Sequence, residues 1–156
     1  MVCYTPLISI TFMPYSSQAS FDLVATVDQV WDAITKPEIV KQYFFGTNMV
    51  TDWIVGHPIF FRGEWQGKAY EDKGTVLVFE PKTRLSYSYW SGMGGTDDTP
   101  ENYQTITLSL EPHEHMVRLT IEQANVLTQE SADHSMENWK MVFNGLQALL
   151  TAPTKE

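Results

Sequence analysis

Between residues 48 and 126 the chain turns extended again and again: "NMVTDW", "PIFFRGEW", "GTVLVFE", "RLSYSYWS", "YQTITLSLE" and "HMVRLTIEQ" follow one another across clusters of Gly, Pro, Asp and Asn. Alternation of large apolar with smaller or polar residues at period two is the mark of half-buried strands. The breaks between them ("QGKAYEDKG", "EPKT", "EPHE") are too short for crossover helices, so the run predicts an antiparallel meander. Only the Gly-rich "GMGGTDDTPEN" is long enough for a mobile loop or lid. Such a meander has one apolar face to cover, and the next segment supplies the cover. In "ESADHSMENWKMVFNGLQALL", residues 130–150, Met136, Trp139, Phe143, Leu146 and Leu150 recur at spacings of three and four, which predicts a long amphipathic helix laid across the sheet.

Upstream, "LISITF" (residues 7–12) alternates as a strand does, "MPYSSQ" reads as a break, and "ASFDLVA" (residues 19–25) is a second extended piece. Thr26 and Gln29 have the spacing of a capping box opening "VDQVWDAIT", with Val27, Val30, Trp31 and Ile34 on one face. Pro37 suits the first turn of a second short helix, "PEIVKQYFF". The expected organisation is a leader over residues 1–17, one domain over 18–151 and a tail over 152–156.

The order of strand, two short helices, meander and long helix, carried by "ATVDQVWDAITKPEIVKQYF", "DWIVGHPIFFRGEWQGKAYEDKGTVLVFEPKTRLSYSYWS", "DTPENYQTITLSLEP" and "ENWKMVFNGLQALL", resembles the START-like (SRPBCC) superfamily. Within it the chain is similar to the branch labelled activator of heat-shock protein 90 ATPase homologue. The resemblance implies an α+β helix-grip fold, a curved antiparallel sheet gripping the C-terminal helix, with a cavity between them that in related families holds apolar molecules. The leader departs from that pattern, because such chains enter the first strand almost at once.

Charge and composition narrow the function classes. Acidic residues outnumber basic ones 19 to 10, for a net charge of −9, and the basic residues do not cluster, which argues against nucleic acid and anionic membrane surfaces. No apolar run reaches the roughly 18 residues of a membrane span. The absence of Lys and Arg from the first 35 residues argues against a signal peptide, so the expected location is cytoplasmic. Cys3 is the single cysteine, which leaves no disulfide framework and no Cys-based zinc site. His113 and His115 flank Glu114 in what reads as a hairpin turn without a third ligand, so no metal is assigned. The glycines of "GMGG" lack the strand, helix and Lys/Ser setting of a phosphate loop, and no cofactor is implied. Asp97 and Asp98 read as a solvated acidic loop.

Five Trp, seven Tyr and eight Phe are more aromatic bulk than a small core needs. Taking the side with larger apolar groups as inward places Ile59, Phe61, Gly63 and Trp65, Leu77 and Phe79, Leu85, Tyr87 and Tyr89, Ile106, Leu108 and Leu110, and Val117, Leu119 and Ile121 on the covered face. Arg62 and Glu64 fall outward, with Arg62 expected to pair across to the neighbouring strand. The candidate ligand-binding residues are therefore Trp31, Tyr43, Phe44, Phe61, Trp65, Tyr87, Tyr89, Trp139 and Phe143, with Tyr87 and Tyr89 offering hydroxyls. Gly63 leaves a gap that is either closed by a side chain such as Trp139 or Phe143 or open to a pocket.

Three functions follow as expectations. The first is binding of an apolar or aromatic small molecule. The second is a chaperone-interacting module modulating a heat-shock protein 90 type ATPase. The third is a cyclase- or dehydratase-like enzyme, for which no acid and base pair is identified. Phe60 and Trp90 would be available for a homodimer patch; a monomer is equally consistent.

Overall fold

The computed structural model describes residues 15–151. Seven antiparallel strands form one sheet: β1 (Tyr15–Leu23), β2 (Asn48–Val50), β3 (Pro58–Trp65), β4 (Lys68–Glu80), β5 (Arg84–Tyr89), β6 (Gln104–His113) and β7 (Met116–Val126). They lie in the order β1-β7-β6-β5-β4-β3-β2, a meander from β2 to β7 that β1 closes along its far edge. Three α-helices accompany the sheet among the described residues: α1 (Val27–Thr35), α2 (Pro37–Tyr43) and α3 (Gln129–Thr151). This is the α+β helix-grip arrangement. The strand expected over residues 7–12 lies outside the described residues, and Tyr15 to Gln18, expected to form part of a break, already belong to β1, which pairs with β7.

Local chemistry explains the helices. The capping box forms as its spacing predicts: the Thr26 hydroxyl accepts from the Gln29 N–H (3.1 Å), and the Gln29 side-chain carbonyl accepts from the Thr26 N–H (2.9 Å). Phe45, at φ 54°, ends the second helical segment. In α3, Ala132, Trp139, Val142, Phe143 and Leu146 are buried, and Phe143 meets Phe21 of β1 with ring centroids 4.9 Å apart. α3 therefore runs along the β1 edge of the sheet, from the Ser17 hydroxyl donating to the Ala132 carbonyl (3.2 Å) to the Val24 N–H donating to the Gln147 side chain (3.0 Å).

Two corrections concern β4. The stretch "QGKAYEDKG" is mostly strand: only Gln66 and Gly67, both at positive φ, make the turn, and Trp65 pairs directly with Lys68. From that register Gly63 faces Tyr70, Phe61 faces Asp72 and Ile59 faces Gly74. Tyr70 and Asp72 thus point inward with Phe61, while Arg62 meets Glu71 on the outer face (2.6 Å). Farther along, a register shift between Val76 and Val78 inserts an extra residue, so Val76 is fully buried and Leu77, expected inward, is 42% exposed. A bulge inverts the alternation beyond it, which strict period two cannot anticipate. The strand also approaches β5 closely: a Cβ on Gly74 would fall within the Ser88 carbonyl group.

Other expectations resolve through packing. Phe60 lies half-buried beneath the Arg62 guanidinium (4.6 Å to the ring centroid), and Trp90 is half-buried between Lys73 and Tyr103, so neither offers a free aromatic patch. The C-terminal half of the Gly-rich loop is tied to the sheet, while Met93 in its first half is exposed. Asp98 takes a hydrogen bond from Tyr103 (2.6 Å) and an ion pair from Lys73 (2.5 Å), and the Asn125 amide donates to the Glu101 and Tyr103 carbonyls. Glu114 and His115 are the two turn residues joining β6 to β7, with His113 ending its strand.

A cavity between the sheet and the C-terminal helix

A cavity of about 680 Å³ opens between the N-terminal half of α3 and the inner face of the sheet. Its sheet wall is aromatic: Phe61 and Trp65 from β3, Tyr70 from β4, and Tyr87 and Tyr89 from β5. Phe61 packs against Tyr87 (5.4 Å between centroids) and Tyr89 (6.0 Å). The helix wall is Trp139, Val142 and Met141, with Asn138, Ser135 and His134 toward the α3 N-terminus. Phe44 and Phe45 close the side beneath α2, and Phe44 meets the Trp139 ring edge-on (5.6 Å). Four apolar lining residues, Phe45, Trp65, Met93 and Met141, are themselves exposed and mark the mouth, with His134 and Asn138 exposed beside them.

Of the nine candidate residues, six line this cavity: Phe44, Phe61, Trp65, Tyr87, Tyr89 and Trp139. Trp65, at the end of its strand, is 55% exposed and stands at the mouth. Tyr43 and Phe143 lie beside a separate void of about 30 Å³, too small for more than a water molecule or so. Tyr43 is an internal tie, donating its hydroxyl to the Ala33 carbonyl (2.7 Å) and so joining α1 to α2. Trp31 is away from both spaces, buried against Phe79 (5.4 Å). Helical periodicity marked Trp31, Tyr43 and Phe143 correctly as inward, but it carries no information on whether the inward space is filled.

Gly63 is covered by neither helix residue. Tyr70, directly across the β3–β4 pair, lays its ring over the glycine: a Cβ there would be 2.6 Å from Tyr70 Cζ and nearer still to the hydroxyl oxygen. This is an aromatic side chain shielding a cross-strand glycine. The Tyr70 hydroxyl continues to Thr47 Oγ1 (2.8 Å), locking the ring down.

The polar groups are few and mostly occupied. The Trp139 indole N–H donates to Gln123 Oε1 (2.9 Å), and the Gln123 amide donates in turn to Gln104, which satisfies a glutamine only 5% exposed. Tyr89 donates its hydroxyl to Asp72 Oδ2 (2.5 Å), and the other carboxylate oxygen, Oδ1, is enclosed without a hydrogen-bond partner among the described residues. The Tyr87 hydroxyl makes no hydrogen bond among the described residues, but unlike Asp72 Oδ1 it is not an enclosed atom, and Tyr87 lines the cavity. Burial holds the phenol of Tyr87 well above the ordinary tyrosine range. Burial, and then the adjacent Asp72 charge and hydrogen bond, does the same for Tyr89. Both hydroxyls therefore stay protonated and can only give or take hydrogen bonds.

Sequence reasoning passed over Asp72, Tyr70, Thr47 and Gln123. For Tyr70 and Asp72 a signal was present: with a two-residue turn at "QG", alternation along "KAYED" puts both on the Phe61 face.

The chain matches the family model described as "Activator of Hsp90 ATPase homolog 1-like protein" over residues 24–151. It is similar to the solution structure of ChR145 from Cytophaga hutchinsonii, with 40% identity, TM-score 0.77, and coverage of 88% of this chain and 94% of that one. It shares its fold with protein CV1439 from Chromobacterium violaceum (20% identity, TM-score 0.73, covering 90% and 100%). The same holds for protein MLL2253 from Mesorhizobium loti (20% identity, TM-score 0.72, covering 89% and 100%). Among curated proteins there is no match.

Proposed function

The chain belongs to the Activator of Hsp90 ATPase homolog 1-like family, and on that premise we propose that it binds an apolar, aromatic small molecule between the sheet and α3. The observation that carries this reading is the cavity: about 680 Å³, inside the range of roughly 300–1,000 Å³ usual for small-molecule sites, walled by aromatic rings and reached through a mostly apolar mouth. A domain of this kind close-packs its interior unless the space has a use. Six inward aromatic or tyrosyl side chains surround the space instead of filling it.

The chemistry of the walls supports binding ahead of catalysis. The cavity phenols, held above the ordinary tyrosine range by burial, serve as hydrogen-bonding groups and not as general bases. The family's description names activation of a chaperone ATPase; among the described residues no surface feature carries that reading as the cavity carries the other.

The test is calorimetric titration with naphthalene derivatives, together with native mass spectrometry for a co-purified ligand. Saturable one-to-one binding is expected. Val142→Trp, which directs an indole into the cavity from α3, is expected to abolish it. Absence of binding in the parent protein, or undiminished binding in the filled variant, would sink the proposal.

A further inference from the structure

Resting on that reading, we infer that the cavity selects ligands by charge: it accepts neutral or cationic aromatic molecules bearing a hydrogen-bond donor, and rejects their carboxylates. The selecting group is Asp72, through its unmatched carboxylate oxygen.

The lining is one-sided in its charge. Asp72 is the acidic group in it, and among the described residues no Lys or Arg lines it; His134, near the α3 N-terminus, is the remaining ionisable side chain besides the tyrosines. Of the nearby cations, Lys73 pairs with Asp98 and Arg62 with Glu71 on the outer face, while Lys68, opposite Trp65 at the exposed end of the hairpin, is not part of the lining. An anionic headgroup entering the cavity would therefore leave water with no cation to receive it, next to a carboxylate.

The same carboxylate has unused capacity. An ionised carboxyl accepts at both oxygens, yet only Oδ2 is engaged, by Tyr89. Oδ1 is enclosed and unpartnered, the arrangement that costs most when a polar atom leaves water. A turn about the Cβ–Cγ bond brings it toward the space that Asp72 lines, where a ligand O–H or N–H supplies the missing donor. The unpartnered Tyr87 hydroxyl, two residues before Tyr89 on the same face of β5, can accept or donate beside it. The polar end of the ligand thus belongs at the β4–β5 wall, and its apolar body lies along Phe44, Phe61 and Trp139.

The experiment compares 2-naphthylmethanol, 2-naphthylmethylammonium and 2-naphthoate by calorimetry in 0.15 M salt, on the parent protein, Asp72→Asn, Tyr89→Phe and the outer-face control Glu64→Gln. A charge-assisted hydrogen bond is worth roughly 10-fold or more in affinity. The ammonium and the alcohol are expected to bind at least about 10-fold more tightly than the carboxylate. Asp72→Asn should collapse that order to within about threefold, and Glu64→Gln, with the same change in net charge, should leave it intact. Tyr89→Phe frees the second oxygen and should widen the preference for the ammonium, a result that stands even if Asp72→Asn proves unstable. Binding by none of the three overturns the cavity reading as well as this inference. Equal binding of all three, an order that survives Asp72→Asn, or an unchanged preference in Tyr89→Phe overturns this inference alone.

Discussion

Replacing Gly63 by alanine should destabilise the protein, and the reason lies on the opposite strand. The new methyl would be 2.6 Å from Tyr70 Cζ and 3.0 Å from Cε1, where carbon atoms rest comfortably at roughly 3.5–4.0 Å. The Tyr70 ring must swing by about 1 Å, and in doing so it gives up the 2.8 Å hydrogen bond to Thr47. Overpacking of this kind costs about 1–3 kcal/mol and a hydrogen bond about 1. Against these, removing a strand glycine returns about 0.5–1 kcal/mol. The net loss is about 2 kcal/mol, or a fall in Tm of roughly 4–8 °C for a domain of this size. The decisive measurement is a double-mutant cycle by urea denaturation. In a Tyr70→Ala background the obstruction is gone, and Gly63→Ala should become neutral or stabilising by up to about 1 kcal/mol. Equal cost in both backgrounds would show that Tyr70 does not dictate glycine at this position.

Two further outcomes follow from buried polar groups. Tyr43, Tyr87 and Tyr89 are all held above the ordinary range by burial, so the folded state keeps protons that the unfolded chain releases above about pH 10. Their contribution is complete below that pH and should fall by up to about 1.4 kcal/mol per pH unit for each tyrosine as pH rises further. Urea titrations from pH 8 to 12 measure it; Tyr87→Phe should shallow the slope, and a flat profile would refute the assignment. Trp139→Phe removes the indole N–H and strands Gln123 Oε1 in a buried position, for about 1–3 kcal/mol. Pairing it with Gln123→Leu should cost less than the sum of the two single changes, because the stranded acceptor is then gone.

What the residues determined alone is everything governed by near neighbours along the chain. Period-two alternation predicted the meander, period 3.6 the α3 stripe, and the Thr26–Gln29 spacing a capping box whose two hydrogen bonds form as expected. The inward assignment of Phe61, Tyr87 and Trp139 needed nothing more. What only tertiary structure decided is where the interior is full and where it is open. Gly63 illustrates this: the sequence left it open to a pocket or closed from the helix, and the gap is filled by Tyr70, a residue seven positions away that a two-residue turn brings directly opposite. Leu77 illustrates it again, because a bulge is a property of two strands pairing and leaves no trace in the alternation of one. Asp72 reaches the cavity through the same hairpin register. Patterns along a chain report which way a side chain faces; the volume left over depends on side chains arriving from distant segments, and it is that volume, with one carboxylate in its wall, on which the proposed binding rests.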